Sequence, residues 1–192
     1  MDEVKTHISK YSDEELMNMV VERNTKALKV LYDRYGSGVF NFTLRYTNNR
    51  EISEDVLQET FTRVWFAAHT FRPDKGTFKA WLYTIGINLT RNEMSKKQYE
   101  YDHIDFDEIR QSDIKWGRKE DNLAEKTELE DAIGKALATL NPFLKEVVIL
   151  KHFQSMKFTE IAEMTNTPVG TLKARFHNAL GQLKKLLEKT EF

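Results

Sequence analysis

FTEIAEMTNTPVGTLKARFHNALGQLKK, Phe158 to Lys185, decides how this chain is read. Phe158, Ile161 and Ala162 recur at helical spacing. The pattern stops at Thr165-Asn166, where asparagine can take the left-handed conformation of a sharp helix-ending turn. A second helix is expected directly afterwards, with Thr167 as N-cap and Pro168 as first residue, because proline lacks only an amide hydrogen that would be unpaired there. In it Val169, Leu172, Phe176, Leu180, Leu183 and Leu187 form one apolar stripe. The other face holds Thr171, Ala174, Arg175 and Asn178, flanked by Lys173 and His177. No acidic residue occurs from Met164 through Leu187, so a polyanion can approach without repulsion. Small, amide and basic side chains at the start of such a helix suit a major groove. A surface hairpin with solvated lysines would share the amphipathic pattern, but the turn chemistry and the acid-free run favour DNA.

The rest of the chain sets bounds. Its 192 residues, 40% of them apolar, suit one large or two small domains. No apolar run nears the roughly 20 residues that span a bilayer, and MDEVKTHISK lacks a signal-peptide core, so a cytoplasmic location is expected. With no cysteine there is no disulfide framework or thiolate metal site. The five histidines show no metal-ligand spacing, and neither a phosphate loop nor a nucleophile elbow is present; no catalytic residue, metal, cofactor or small-molecule substrate is expected. A net charge of -1 is unusual for unaided DNA binding and points to a partner subunit.

Helical periodicity runs almost throughout, interrupted by only three prolines, and the expected fold is all-α: two small helical domains joined by an acidic linker, the second a helix-turn-helix. Ser12 with Glu15 forms a capping-box signature, Asn24-Thr25 begins a second helix, and Gly36 with Gly38 is expected to break it before a segment from Val39 to Tyr46. A long helix from about Ile52 to His69 follows, with Ile52, Val56, Leu57, Phe61, Val64, Trp65 and Ala68 inward and Asp55, Gln58, Glu59 and Arg63 outward. After the turn-rich loop Phe71 to Thr77, helix resumes from Phe78 to Met94. Here Phe71, Phe78, Trp81 and Tyr83 lie among Arg72, Lys75, Lys79 and Arg91. That mixture can stack unpaired bases and hold a backbone, although Phe78 and Trp81 also fit a core. The domains are expected at 8–97 and 125–190, with the acidic linker 98–124 between them.

Three segments in this order, EDVLQETFTRVW (Glu54 to Trp65), FKAWLYTIGINLTRNEMSKK (Phe78 to Lys97) and FTEIAEMTNTPVGTLKARFHNAL (Phe158 to Leu180), resemble the extracytoplasmic-function (ECF) group of sigma-70 family sigma factors. The resemblance implies a non-enzymatic initiation subunit with core RNA polymerase, promoter DNA and an anti-sigma factor as partners. It implies that Asp55, Gln58, Glu59 and Arg63 bind polymerase. Phe71, Arg72, Lys75, Lys79, Asn88, Arg91 and Asn92 would serve the minus-10 element, with one base flipped from the stack. Thr171, Lys173, Ala174, Arg175, His177 and Asn178 would serve the minus-35 element. Asn178 stands where the family commonly has arginine, and Lys157 where a capping serine is common. The competing reading is an autonomous LuxR-like helix-turn-helix regulator, which would bind duplex DNA without polymerase.

Overall fold

Asparagine and serine side chains mark where the helices begin. The computed structural model describes residues 8–102 and 128–189, and among these every regular element is helical. Helix α1 (Asp13–Val21) opens on the expected box: Ser12 Oγ accepts the Glu15 N–H at 3.2 Å, and the Glu15 carboxylate accepts the Ser12 N–H at 2.7 Å. Asn24 Oδ1 caps α2 (Thr25–Thr47) by accepting from the Lys26 and Ala27 amides. Asn48 ends α2 in the left-handed region (φ 51°), and Asn49 Oδ1 caps α3 (Arg50–Ala67) through the Ile52 N–H at 3.0 Å. Each such cap stabilises its helix by about 0.5–2 kcal/mol. Two short 3-10 turns, Ala68–Thr70 and Pro73–Lys75, lead into α4 (Phe78–Asp102).

The expected break at Gly36 and Gly38 does not occur, and α2 runs unbroken for 23 residues. The two glycines cost the helix roughly 1 kcal/mol each, but burial of Leu31, Val39 and Phe42 outweighs this, at about 1.5–3 kcal/mol per large side chain. Gly38 has a tertiary purpose. A Cβ there would lie 2.5 Å from the Tyr83 hydroxyl and 3.2 Å from Gln154 Oε1, so only glycine admits both groups without displacing them.

In the C-terminal half, α5 (Glu128–Ala138) is followed by α6 (Pro142–Val148), which has Pro142 in its first turn and Asn141 Oδ1 accepting from the Phe143 and Leu144 amides. Helix α6 passes into a π-helical turn, Ile149–Phe153, which the sequence pattern did not announce. The motif helices are α7 (Phe158–Thr165) and α8 (Val169–Lys189). Helix α8 starts one residue later than expected. The Thr167 hydroxyl donates to the Thr165 carbonyl at 3.1 Å instead of capping α8, and the Pro168 carbonyl accepts the Leu172 amide. The apolar stripe is also rotated: Leu172 and Ala179 are buried, whereas Leu180 is 44% exposed.

One core runs through both halves. Leu16, Leu31, Phe42, Val64, Phe78 and Leu82 cluster with Val147, Ile149, Leu150, Met156, Ile161 and Leu172 from the C-terminal helices. Helix α4 packs against both α3 and α7, and α2 meets the π turn. Helix α4 extends to Asp102, into the stretch read as linker; the remainder of that stretch, 103–124, lies outside the described residues.

Candidate nucleic-acid interface

The α7–α8 motif is built by its turn. Asn166 sits at φ 48°, and the Ala162 carbonyl accepts the amides of Asn166 and Thr167. This closes α7 and turns the chain sharply, as a left-handed asparagine should. Glu160 accepts the Lys157 N–H at 2.7 Å, and the lysine itself supplies no side-chain cap, so α7 keeps only half of a capping box. Phe158 packs edge-on against Phe176, with ring centroids 5.7 Å apart, which fixes α8 across α7. Thr171, Lys173, Ala174, His177 and Asn178 are all exposed, as one face. Asn178 Oδ1 accepts from Gln182 Nε2 at 3.1 Å. Arg175 is half-buried, and its guanidinium lies 5.0 Å from the centroid of the Phe143 ring, so it turns towards α6.

Along α4 and the loop that leads into it the seven candidate side chains divide. Arg72, Lys75, Asn88 and Asn92 are exposed. Arg72 donates to the His69 carbonyl at 3.0 Å, which pins the loop beneath it. Phe71 is 8% exposed, with its ring 5.9 Å from Phe78 and 5.6 Å from Trp81, so it is committed to the core and not presented to bases. Lys79 and Arg91 reach the C-terminal half: Lys79 Nζ donates to the Gln154 carbonyl at 2.7 Å, and Arg91 makes two bonds to Glu146, at 3.0 and 2.7 Å. The Glu146 side chain is only 8% exposed. Burial pushes its carboxyl above the ordinary glutamate range, against the opposing pull of Arg91.

On α3, Asp55, Gln58 and Arg63 are exposed, and Glu59 is half-exposed with its carboxylate 2.8 Å from Arg63 Nε. A surface pair of this kind contributes about 0.3–0.5 kcal/mol, so both partners are readily redirected. Beside them an open groove of about 680 Å³ runs between α2 and α3, lined by Leu28, Tyr32, Leu57, Gln58, Trp65 and Phe66. Phe66 is 65% and Tyr32 43% exposed. The sequence reading missed this apolar strip. The available signal was Phe66, an aromatic that falls off the inward stripe of its own helix. Among the described residues, no three histidine or acidic side chains converge to hold a metal ion.

An all-helical chain that carries a helix-turn-helix with an acid-free outer face, and a second helical domain with exposed asparagines beside cations, defines a two-domain nucleic-acid-reading factor. Family models agree on both parts: Sigma-70 region 2 matches residues 31–99, and Sigma-70, region 4 matches residues 130–183, together well over half of the chain. ECF RNA polymerase sigma factor SigW of Bacillus subtilis is 26% identical over 186 residues, 89% of this chain and 98% of its own. The ECF RNA polymerase sigma-E factor of Escherichia coli K12 is 27% identical over 174 residues, 88% and 90% of the two chains. In fold, the chain is similar to CnrH solved with the cytosolic domain of CnrY (TM-score 0.70, 22% identity, 93% of this chain and 99% of that one). It is equally similar to the sigma factor RpoE of Bartonella quintana solved with the anti-sigma factor NepR (TM-score 0.70, 24% identity, 86% and 99%). The chain belongs to the sigma-70 family, among its ECF members. The match of both regions supports sigma-factor function, promoter-specific initiation with core RNA polymerase, and not the LuxR-like alternative.

Proposed function

We propose that this sigma factor reads its promoter with two surfaces and holds polymerase with a third. Helix α8 enters the minus-35 major groove with Thr171, Lys173, Ala174, His177 and Asn178, small and polar groups that can approach base edges closely. Asn88 and Asn92, one turn apart on α4, give polar edges to an unpaired minus-10 base, while Arg72 and Lys75 hold its backbone. Trp81, half-buried and two turns before Asn88, keeps part of its ring accessible for stacking. Asp55, Gln58, Glu59 and Arg63, with the apolar groove beside them, form the polymerase-binding face. The carrying observation is the exposed, acid-free face of α8 in one chain with the exposed asparagines of α4.

The chain acts without catalysis of its own, in the cytoplasm. An anti-sigma factor restrains it, as the Bartonella relative is bound by NepR. Run-off transcription from fragmented host genomic DNA with host core polymerase tests the reading. Discrete transcripts that appear only with this protein are the expected result. A specific duplex shift by the protein alone, with no new transcript, would overturn it.

A further inference from the structure

Helix α1 belongs to none of the surfaces assigned so far. The Sigma-70 region 2 match begins at residue 31, so α1 lies ahead of the segment that it covers. Yet the chain fastens this helix at both ends. At its start Asp13 has both carboxylate oxygens engaged: Arg34 donates to Oδ1 at 2.7 Å, and the Tyr35 hydroxyl donates to Oδ2. The other arm of the Arg34 guanidinium donates to the carbonyls of Ser9, at 2.7 Å, and Tyr11, at 2.8 Å. Just past its end Arg23, in the left-handed region at φ 66°, donates to the Trp65 carbonyl at 3.0 Å and lies 5.3 Å from the centroid of that ring. Between these ties Leu16, Met17 and Val20 are buried.

Burial alone would seat α1; the polar ties reach further, to the loop read as a minus-10 contact. Helix α1 packs against the 3-10 turn Ala68–Thr70, which leads into that loop. The Tyr35 ring meets the Phe78 ring edge-on, with centroids 5.4 Å apart and planes at 64°. Phe78, buried at the first position of α4, meets in turn Phe71 at 5.9 Å and Trp81 at 6.1 Å. Phe71 and Phe78 are thus the two feet of the loop, and Trp81 is the half-buried ring proposed for stacking. Close to the second foot the backbone passes through Gly76 at φ 148°, where glycine is free to move, so the packing of the feet has to set the course of the loop.

We propose that Asp13 and Tyr35 are positioning residues for promoter opening: their hydrogen bond fixes the Tyr35 ring, which holds Phe78 and, through it, the loop 71–77 and Trp81 in the arrangement that receives an unpaired minus-10 base. The inference rests on the reading of α4 and its loop as the minus-10 surface. Edge-on ring pairs are directional, so the tilt of the first ring is passed to the next. The bond is also durable. Burial, then the Asp13 hydrogen bond itself, pushes the Tyr35 hydroxyl above its ordinary range, so it keeps its proton and remains a donor.

The position of Trp81 can be followed directly, since Trp65→Phe with Trp116→Phe leaves it as the single tryptophan of the chain. In that background Tyr35→Phe, which keeps the ring and removes only the hydroxyl, should make Trp81 more open to acrylamide quenching. Asp13→Ala should do the same. Unchanged quenching in both overturns the proposal. Should Asp13→Ala lose helix content by circular dichroism, Tyr35→Phe carries the test.

For function, the readout is permanganate reactivity of unpaired thymines, with core polymerase at a promoter mapped by run-off transcription. Tyr35→Phe should slow opening about tenfold, the size of a lost hydrogen bond to a charged group, while core binding and affinity for minus-35 duplex stay unaltered. Adding Tyr35→Phe to Asp13→Ala should slow opening no further, because both changes break one bond. Effects that multiply, or a parallel loss of minus-35 affinity, would mean general loosening and overturn the positioning role. Asn88→Ala with Asn92→Ala should slow opening with Trp81 quenching unaltered. Unimpaired opening there would sink the minus-10 reading, and the positioning role with it, while the quenching result stands, so the two failures are told apart.

Discussion

Helices α4 and α8 both present cations and amides of the kind DNA requires, yet the molecule treats them differently. On α4, Lys79 and Arg91 have acceptors supplied by the other half of the chain at 2.7 Å. On α8, Lys173, His177 and Asn178 face outward. The cause is position. Helix α4 is central, packed against α3 on one side and α7 on another, so its long side chains lie within reach of foreign carbonyls and carboxylates. Helix α8 docks through Leu172, Phe176 and Ala179, which leaves its opposite face with no helix to meet among the described residues. Composition makes a surface able to bind DNA; packing decides whether it is available.

Removing the dock of α8 should blur the contrast most. Leu172, 2% exposed, lies in the core shared by both halves, and Leu172→Ala should cost about 2–5 kcal/mol of unfolding free energy by urea titration. A stability unchanged within error would mean that α8 is not seated as described. Next, Ala174→Glu sets a carboxylate on the open face. It should lower affinity for a promoter duplex, measured with polymerase holoenzyme, by about 1–3 kcal/mol while leaving the melting temperature nearly unaltered. Equal affinity would remove Ala174 from the interface.

Amine acylation read by mass spectrometry compares the two helices directly: Lys79 should react about tenfold more slowly than Lys173, because its nitrogen is held by the Gln154 carbonyl and is freed only by local opening. Equal rates would erase the distinction. The smallest effect concerns pH. Glu146 faces Arg91 from α4, Tyr46 from α2, Lys145 from its own helix and Arg175 from α8, and burial nevertheless raises its carboxyl from the ordinary value of 4.5. The folded state therefore binds that proton more tightly than the unfolded one. This contribution to stability should be fullest below the ordinary glutamate value, weaken as pH climbs through the raised one, and then level off. Urea titration repeated across this pH range checks this, and Glu146→Gln should flatten the slope.

Much of the architecture was legible because it is written in local chemistry. Ser12 with Glu15, Asn24 and Asn166 each satisfy or end a helix as their side chains dictate. What escaped depended on distant partners. Gly36 and Gly38 looked like breaks because the hydroxyl that Gly38 accommodates comes from Tyr83, far along the chain. Phe71 looked available for stacking until Phe78 and Trp81 closed around it. The stripe on α8 was set slightly off, since Ala179 is too small to stand out beside Leu180, yet it is the residue buried. The outward sets on α3 and α8 were mostly placed on exposed faces, with Arg175 the exception through Phe143. On α4 an exposure pattern alone could not foretell which cations the chain would engage itself.

The π-helical turn at Ile149–Phe153 holds one residue more than an α-helix needs between the same points, and the Gln154 amide returns to the Ile149 carbonyl at 3.1 Å. Gln154, which offers both its carbonyl and its side chain to α4, follows directly on that surplus residue. Deleting one residue there would let the turn relax to ordinary α-helix, rotating everything beyond it by about 100° and drawing it back by about 1.5 Å. Chain length at this turn is thus a setting of angle, and a single inserted or lost codon would re-aim the helix-turn-helix without altering one side chain that touches DNA.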